Sequence, residues 1–189
     1  SGCVFTSEDR GLLLGTTLFK NTGSLAYLDL TQPEKIRPVK LSGEVHTGVG
    51  EMVSLEHIRK NRYLVGYNID GCSWSYEGRF DEAARTMTLK RVICGQGALA
   101  NGVMEACHYD EVGDRYAISF STATSPTQIF TVEGKKRQEV LQHTHERTLG
   151  IPAGLFSEGE DVSFTSFDGT RISARLYLPA EQPGFKGAR

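Results

Sequence analysis

The chain has 189 residues, of which 39% are hydrophobic, and its 21 basic and 23 acidic side chains leave a formal net charge of −2. That length suits one large domain or one and a half small ones. The near-neutral balance, without a block of like charge, excludes a nucleic-acid footprint and a polybasic membrane patch as partners. No apolar run approaches the length of a membrane-crossing helix. The N-terminus, Ser-Gly-Cys-Val-Phe, has neither an initiator Met nor a basic stretch followed by an apolar one. It reads as a processed or excised piece with no visible signal peptide, from which a parental signal could already have been lost.

Three stretches along the chain resemble one another: Asp-Arg-Gly-Leu-Leu-Leu-Gly-Thr-Thr from Asp9, Lys-Asn-Arg-Tyr-Leu-Val-Gly-Tyr-Asn from Lys60, and Gly-Asp-Arg-Tyr-Ala-Ile-Ser-Phe-Ser from Gly113. Each sets a polar turn and an arginine before a short β-rich run. They recur at about 50 residues, the spacing of propeller blades built from four strands. The first unit is predicted to have strands at Leu12–Phe19, Leu25–Leu30 and Ile36–Leu41. The second has them at Met52–Leu55, Tyr63–Ile69, Trp74–Phe80 and Met87–Cys94, although the spacing of Met52–Ile58 also fits a short helix. Asp70-Gly71 joins its middle strands with residues suited to a tight hairpin. The third unit runs Val103–Tyr109, Tyr116–Ser121, Gln128–Val132 and Glu139–His143, with Pro126 marking a turn. Short strands, polar connections and little helical periodicity predict an all-β fold: a partial β-propeller of about three four-stranded antiparallel blades, followed by a β-hairpin.

Between Thr144 and Glu160 the alternation stops, and Gly150, Pro152, Gly154 and Gly159 mark a linker. After it, Val162 and Phe164 alternate with Ser163 and Thr165. Asp168-Gly169 then forms a turn, and Ile172, Ala174, Leu176 and Leu178 alternate with Ser173, Arg175 and Tyr177 until Pro179 stops the strand. The tail, 180–189, reads as a surface loop. The domain plan is therefore 1–145 for the blades, 146–160 for the linker and 161–189 for the hairpin.

The wording of the hairpin, Val-Ser-Phe-Thr-Ser-Phe-Asp-Gly followed by Tyr-Leu-Pro, resembles the junction between propeller and α/β-hydrolase in the prolyl oligopeptidase family of serine peptidases. The resemblance implies that Asp161–Pro179 opens a truncated hydrolase sheet and that the catalytic domain of the same parent chain is the partner. In that family the propeller covers the active site, restricts entry to short peptides and can hold the substrate N-terminus. The fragment itself is then inactive, with no catalytic, cofactor-binding or metal-binding residues, and with open strand edges through which it can self-associate. The alternative is a stand-alone propeller module that binds a protein or peptide, with the hairpin as a further blade or a capping strand.

The residues that could carry chemistry agree with an inactive fragment. A Gly-x-Ser-x-Gly nucleophile elbow is missing; the nearest stretch is Gly71-Cys72-Ser73-Trp74-Ser75, which follows a hairpin turn and does not open a helix. Ser166 and Asp168 belong to the terminal turn. His143 and His145 share a strand face without further ligands of zinc-site spacing, and His57 and His108 read as packing or surface groups. Cys3, Cys72, Cys94 and Cys107 form no Cys-x-x-Cys pair and read as reduced thiols of a cytoplasmic protein. Lys135-Lys136-Arg137 reads as a charged hairpin turn, and Trp74, Tyr76 and Phe80 as blade core.

Overall fold

The three arginine-led repeats occupy equivalent places, each opening the second strand of a sheet. In the computed structural model, which describes residues 2–178, the strands are β1 (Cys3–Phe5), β2 (Gly11–Thr16), β3 (Ser24–Asp29), β4 (Ile36–Pro38), β5 (Lys40–Ser42), β6 (Gly50–Arg59), β7 (Arg62–Ile69), β8 (Cys72–Asp81) and β9 (Thr86–Cys94). They continue with β10 (Gly102–Asp110), β11 (Arg115–Thr122), β12 (Ser125–Glu133), β13 (Glu139–Gln142), β14 (Glu160–Thr165) and β15 (Arg171–Leu176). Arg10 precedes β2, and Arg62 and Arg115 begin β7 and β11. The turn before each contains a left-handed residue: Asp9 (φ 52°), Lys60 (φ 51°) and Asp114 (φ 47°). The repeat is thus a turn geometry as much as a strand pattern.

The fold is all-β. β1–β4 and β10–β13 are four-stranded antiparallel meanders, β14–β15 is a separate hairpin, and the second sheet has the order β5-β9-β8-β7-β6. Its fifth strand corrects the expectation of one strand over Ile36–Leu41. Pro38 cannot donate to the ladder. Just past it, Val39 N–H donates to Leu25 O, while Lys40 N–H turns to Arg85 O. The chain therefore changes sheets within two residues, and Lys40–Ser42 pairs parallel with Thr86–Thr88.

The helical spacing noted over Met52–Ile58 is also explained. The segment lies in strand β6, whose register shifts between Met52 and Ser54 and again between His57 and Arg59. A bulge inserts one residue and resets the alternation, so Met52 and Leu55, three apart, are both buried. Pro126 is not in a turn; it lies inside β12, and the turn is at Ala123-Thr124. β1 was not expected at all. Pro179 and the tail, 180–189, lie outside the described residues.

The chain divides into two compact units. The first holds β1 to β9, except for the β7–β8 turn at Asp70–Cys72, which groups with the second unit. In the first unit the β1–β4 sheet packs on the five-stranded sheet through Leu13, Leu25, Val65, Tyr76 and Met87, each at most 1% exposed. Trp74, Tyr76 and Phe80 serve this core, as their spacing predicts. β7 is buried along nearly its whole length, so it is covered on both faces. The other face of the β1–β4 sheet carries a cross-strand row. Phe5 pairs with Leu12, Leu12 with Leu28, and Leu28 with Ile36; Phe5 and Ile36 are exposed.

In the second unit Tyr116, Ile118, Phe120, Phe130 and Val132 form the buried face of the β10–β13 sheet. The opposite face shows Val103, Ile129 and Leu141, all exposed. Arg137 departs from the charged turn expected of Lys135-Lys136-Arg137. The turn forms, but Arg137 is buried, with φ 57°. Its guanidinium donates to Asp114 Oδ1 at 2.7 Å and to Asp114 O, and lies 5.1 Å from the Tyr116 ring centroid. It thereby ties the β12–β13 turn to the β10–β11 turn. Charge-assisted hydrogen bonds of this kind are worth about 1.5–3 kcal/mol. Arg137→Ala is expected to destabilise the chain by that amount in urea unfolding. Arg137→Lys should recover little of it, because an ammonium cannot make the planar, forked contact; wild-type stability in the lysine variant would refute this role.

Candidate functional site

The residues between β5 and β6, Gly43-Glu44-Val45-His46-Thr47-Gly48-Val49, form a loop across the five-stranded sheet. It needs glycine where it touches backbone. At Gly43 (φ 89°) a Cβ would stand 2.2 Å from Leu89 O, and at Gly50, just after the loop, 1.8 Å from Asn68 O. Held this close, the loop sets His46 among three aromatic rings of β7 and β8. Its ring centroid lies 5.0 Å from Tyr67, 5.7 Å from Trp74 and 5.7 Å from Tyr76.

One hydroxyl fixes the histidine. Tyr76 Oη accepts from His46 N–H at 3.1 Å and stands 2.7 Å from His46 Nδ1. Burial lowers the His46 pKa and Lys20 lowers it further, against an opposing effect of Glu44. The imidazole is therefore neutral at pH 7. Burial raises the pKa of Tyr76, opposed by the N–H groups of His46 and Val45.

Beside this cluster a cleft of about 460 Å³ opens within the first unit, with Lys20, Thr22, Glu44, His46, Val49 and Tyr67 among its lining. Tyr67 is 7% exposed, and the Thr22 hydroxyl is buried without a hydrogen-bond partner. Burial raises the Tyr67 pKa, and the Glu44 carboxylate raises it further through its charge and a side-chain hydrogen bond. Leaving a buried hydroxyl unsatisfied costs about 1–3 kcal/mol. The lining thus carries a cation, Lys20, an anion, Glu44, and the hydroxyl residues Thr22, Ser24 and Tyr67; no cysteine lines it.

The motifs weighed in the sequence lie elsewhere. Gly71–Ser75 runs from a turn in which Asp70 and Gly71 take φ 47° and 86° directly into β8. No helix follows it, so the elbow geometry is not formed there. His143 Nε2 contacts Thr131 Oγ1 at 3.0 Å, His57 Nε2 meets Lys60 O at 2.6 Å, and Asp168 caps its own turn through Thr170 N–H at 3.0 Å. Among the described residues no three His, Cys, Asp or Glu side chains group to hold a metal ion, and no helix is long and apolar enough to cross a membrane. Sequence reading missed the His46 cleft because its parts come from four separate segments. The one local signal was three glycines in the eight residues Gly43–Gly50.

Four-stranded antiparallel meanders repeated along the chain, with short polar turns, are the blades of a β-propeller. The fold is similar to the propeller region of prolyl oligopeptidases. Prolyl oligopeptidase B from Galerina marginata superposes with a TM-score of 0.64 at 12% identity, over 96% of this chain and 24% of that one. A post-proline cleaving enzyme from Rickettsia typhi gives 0.58 at 15% identity, over 97% and 26%. Oligopeptidase B from Trypanosoma brucei gives 0.58 at 12% identity, over 97% and 25%. The chain thus spans about a quarter of the length of these structures. No protein-family profile matches it, and no curated protein matches it in sequence.

Proposed function

We propose that this chain is the non-catalytic propeller portion of a prolyl-oligopeptidase-like serine peptidase, joined to the first hairpin of its hydrolase sheet. Residues 1–145 are blades, 146–160 the linker and 161–189 the start of the hydrolase. The role is to gate or orient short peptides for acyl transfer by a Ser, His and Asp carried outside these residues.

The observation that carries this reading is the terminal hairpin. Phe164, Ile172 and Leu176 are 57%, 38% and 43% exposed although they alternate as core residues do, and a hairpin alone is marginal in water. Their burial needs a further sheet, which the hydrolase supplies in the family the chain resembles. The exposed Phe5–Ile36 row and the Val103–Ile129–Leu141 face fit the same reading, since neighbouring blades would cover them.

The test is fluorophosphonate labelling of the parental polypeptide, with the labelled peptide mapped by mass spectrometry. The expected result is one labelled serine beyond Arg189 and none within residues 1–189, Ser73 included. Labelling of Ser73, or no labelling of the parent at all, overturns the reading.

A further inference from the structure

We propose that Gln128 is a positioning residue that fixes the point at which the chain leaves the third sheet, so that the terminal hairpin pivots about the residues after Glu146 and about nothing nearer the blade. The inference rests on the reading of 146–160 as the linker. Along β12 the side chains of Gln128, Phe130 and Val132 alternate onto the buried face. Gln128 is therefore an amide in a place that suits an aliphatic side chain, and it is 4% exposed. A polar group buried there is costly unless its hydrogen bonds are made.

Those bonds go chiefly to the chain that follows β13. Gln128 Oε1 accepts from Thr144 Oγ1 and from Glu146 N–H, both at 2.9 Å. Its Nε2 donates to Glu146 O at 2.8 Å and reaches Ser125 Oγ at 3.5 Å. The side-chain amide thus meets both the N–H and the C=O of Glu146, as a neighbouring strand would. Backbone pairing has ended by then. The last β12–β13 pair is Phe130–Gln142, followed by His143 N–H to Ile129 O at 2.8 Å and Ile129 N–H to Thr144 Oγ1 at 2.9 Å. Gln128 carries the hold on to Glu146. Past that residue the chain turns on itself. Leu149 is 95% exposed, Ile151 N–H closes on Thr148 O at 3.3 Å, and Leu155 N–H closes on Pro152 O at 3.0 Å. An amide presents its donor and its acceptor on different atoms, so the clamp selects the residue it holds and the direction in which the chain is released.

The experiment is amide exchange read by NMR, with limited trypsin digestion mapped by mass spectrometry, on the 189-residue chain and its Gln128→Leu and Gln128→Glu variants. In the wild type the Glu146 amide is expected to be protected, while those of Arg147, Thr148 and Leu149 exchange freely. Trypsin should cut after Arg147 slowly, since Thr144 to Glu146 must leave the sheet to enter its cleft in extended form. Gln128→Leu suits the apolar row of Phe130 and Val132, so its melting temperature should hold or rise. Glu146 exchange and cleavage after Arg147 should nonetheless speed up by on the order of tenfold, the factor for a loss of about 1.4 kcal/mol. Gln128→Glu should speed both as well, because a carboxylate cannot donate to Glu146 O. Equal exchange of Glu146 and Leu149 in the wild type, or unchanged cleavage after Arg147 in both variants, overturns the proposal. So does a Gln128→Leu melting temperature that falls together with protection at Tyr116–Phe120, which would make Gln128 a support of the sheet alone. None of these outcomes bears on where a fluorophosphonate would label the parent.

Discussion

Glu77→Gln is expected to lower the stability of this chain by about 3–5 kcal/mol, the cost of breaking a buried ion pair by removing one partner. The Glu77 side chain is 1% exposed and lies between two arginines, Arg62 at 11% and Arg91 at 28%. Arg62 Nη2 donates to Oε2 at 2.6 Å and Arg91 Nη1 to Oε1. The three residues stand on adjacent strands β7, β8 and β9, on the face opposite the Tyr76 core. Glutamine keeps the shape but removes the charge, leaving two partly withdrawn cations around a buried neutral amide. For a chain of this size each kcal/mol shifts the melting temperature by about 2–4 °C, so thermal unfolding should move down by at least roughly 6 °C. The triple variant R62M/E77L/R91M should recover most of the loss, because a well-packed apolar replacement removes the desolvation penalty along with the attraction. A Glu77→Gln melting point within about 2 °C of wild type would show that water reaches the triad.

Much of the fold was legible because its signals are local. Tyr116, Ile118 and Phe120 alternate with Ala117 and Ser119 within five residues, and the burial follows that alternation. Asp70-Gly71 forms a hairpin turn with both residues left-handed, as its chemistry favours. Asp168-Gly169 shows the limit of the same rule. There Gly169 N–H closes on Ser166 O at 3.0 Å and Ser166 N–H on Thr170 O at 2.8 Å, giving a wider loop with the left-handed conformation at Gly169. What the sequence hid depends on partners far along the chain. β5 exists because Thr86–Thr88 offers it an edge more than forty residues later. Glu77 alternates like a solvated residue and is buried only because Arg62 and Arg91 flank it. Arg137 looks like one of three surface cations until Asp114 and Tyr116 are placed beside it. The His46 cleft needs Thr22, Glu44 and Tyr67 together, and no spacing rule links them.

The amides of β14 and β15 are expected to exchange with solvent orders of magnitude faster than those of β7. Exchange from a paired strand requires local opening, whose free energy runs from near zero in weakly supported segments to the global stability in the core. β7 opens only if Tyr63, Val65 and Ile69, each at most 5% exposed, leave the core. The hairpin has no such anchor. Its pairing runs from Glu160–Leu176 to Thr165–Arg171, and Phe164, Ile172 and Leu176 keep 57%, 38% and 43% of their surface exposed. Its ties to the β7–β8 turn are polar: Arg171 Nη1 to Asp70 Oδ1 at 2.9 Å, a contact of Ser173 Oγ with the same oxygen, and Arg175 Nη1 to Cys72 Sγ at 3.6 Å. Arg171 is 44% exposed, and pairs of that kind contribute about 0–1 kcal/mol. Asp70→Ala should therefore speed exchange at Arg171–Leu176 slightly and leave β7 unchanged. In the parental polypeptide the same amides should become strongly protected, because a sheet laid against Phe164, Ile172 and Leu176 would bury side chains worth roughly 1.5–3 kcal/mol each. If the hairpin in the isolated chain is already as protected as β7, and stays so on dilution, then its stability comes from residues 1–189 themselves. The proposal that the hairpin opens a hydrolase sheet would then fail.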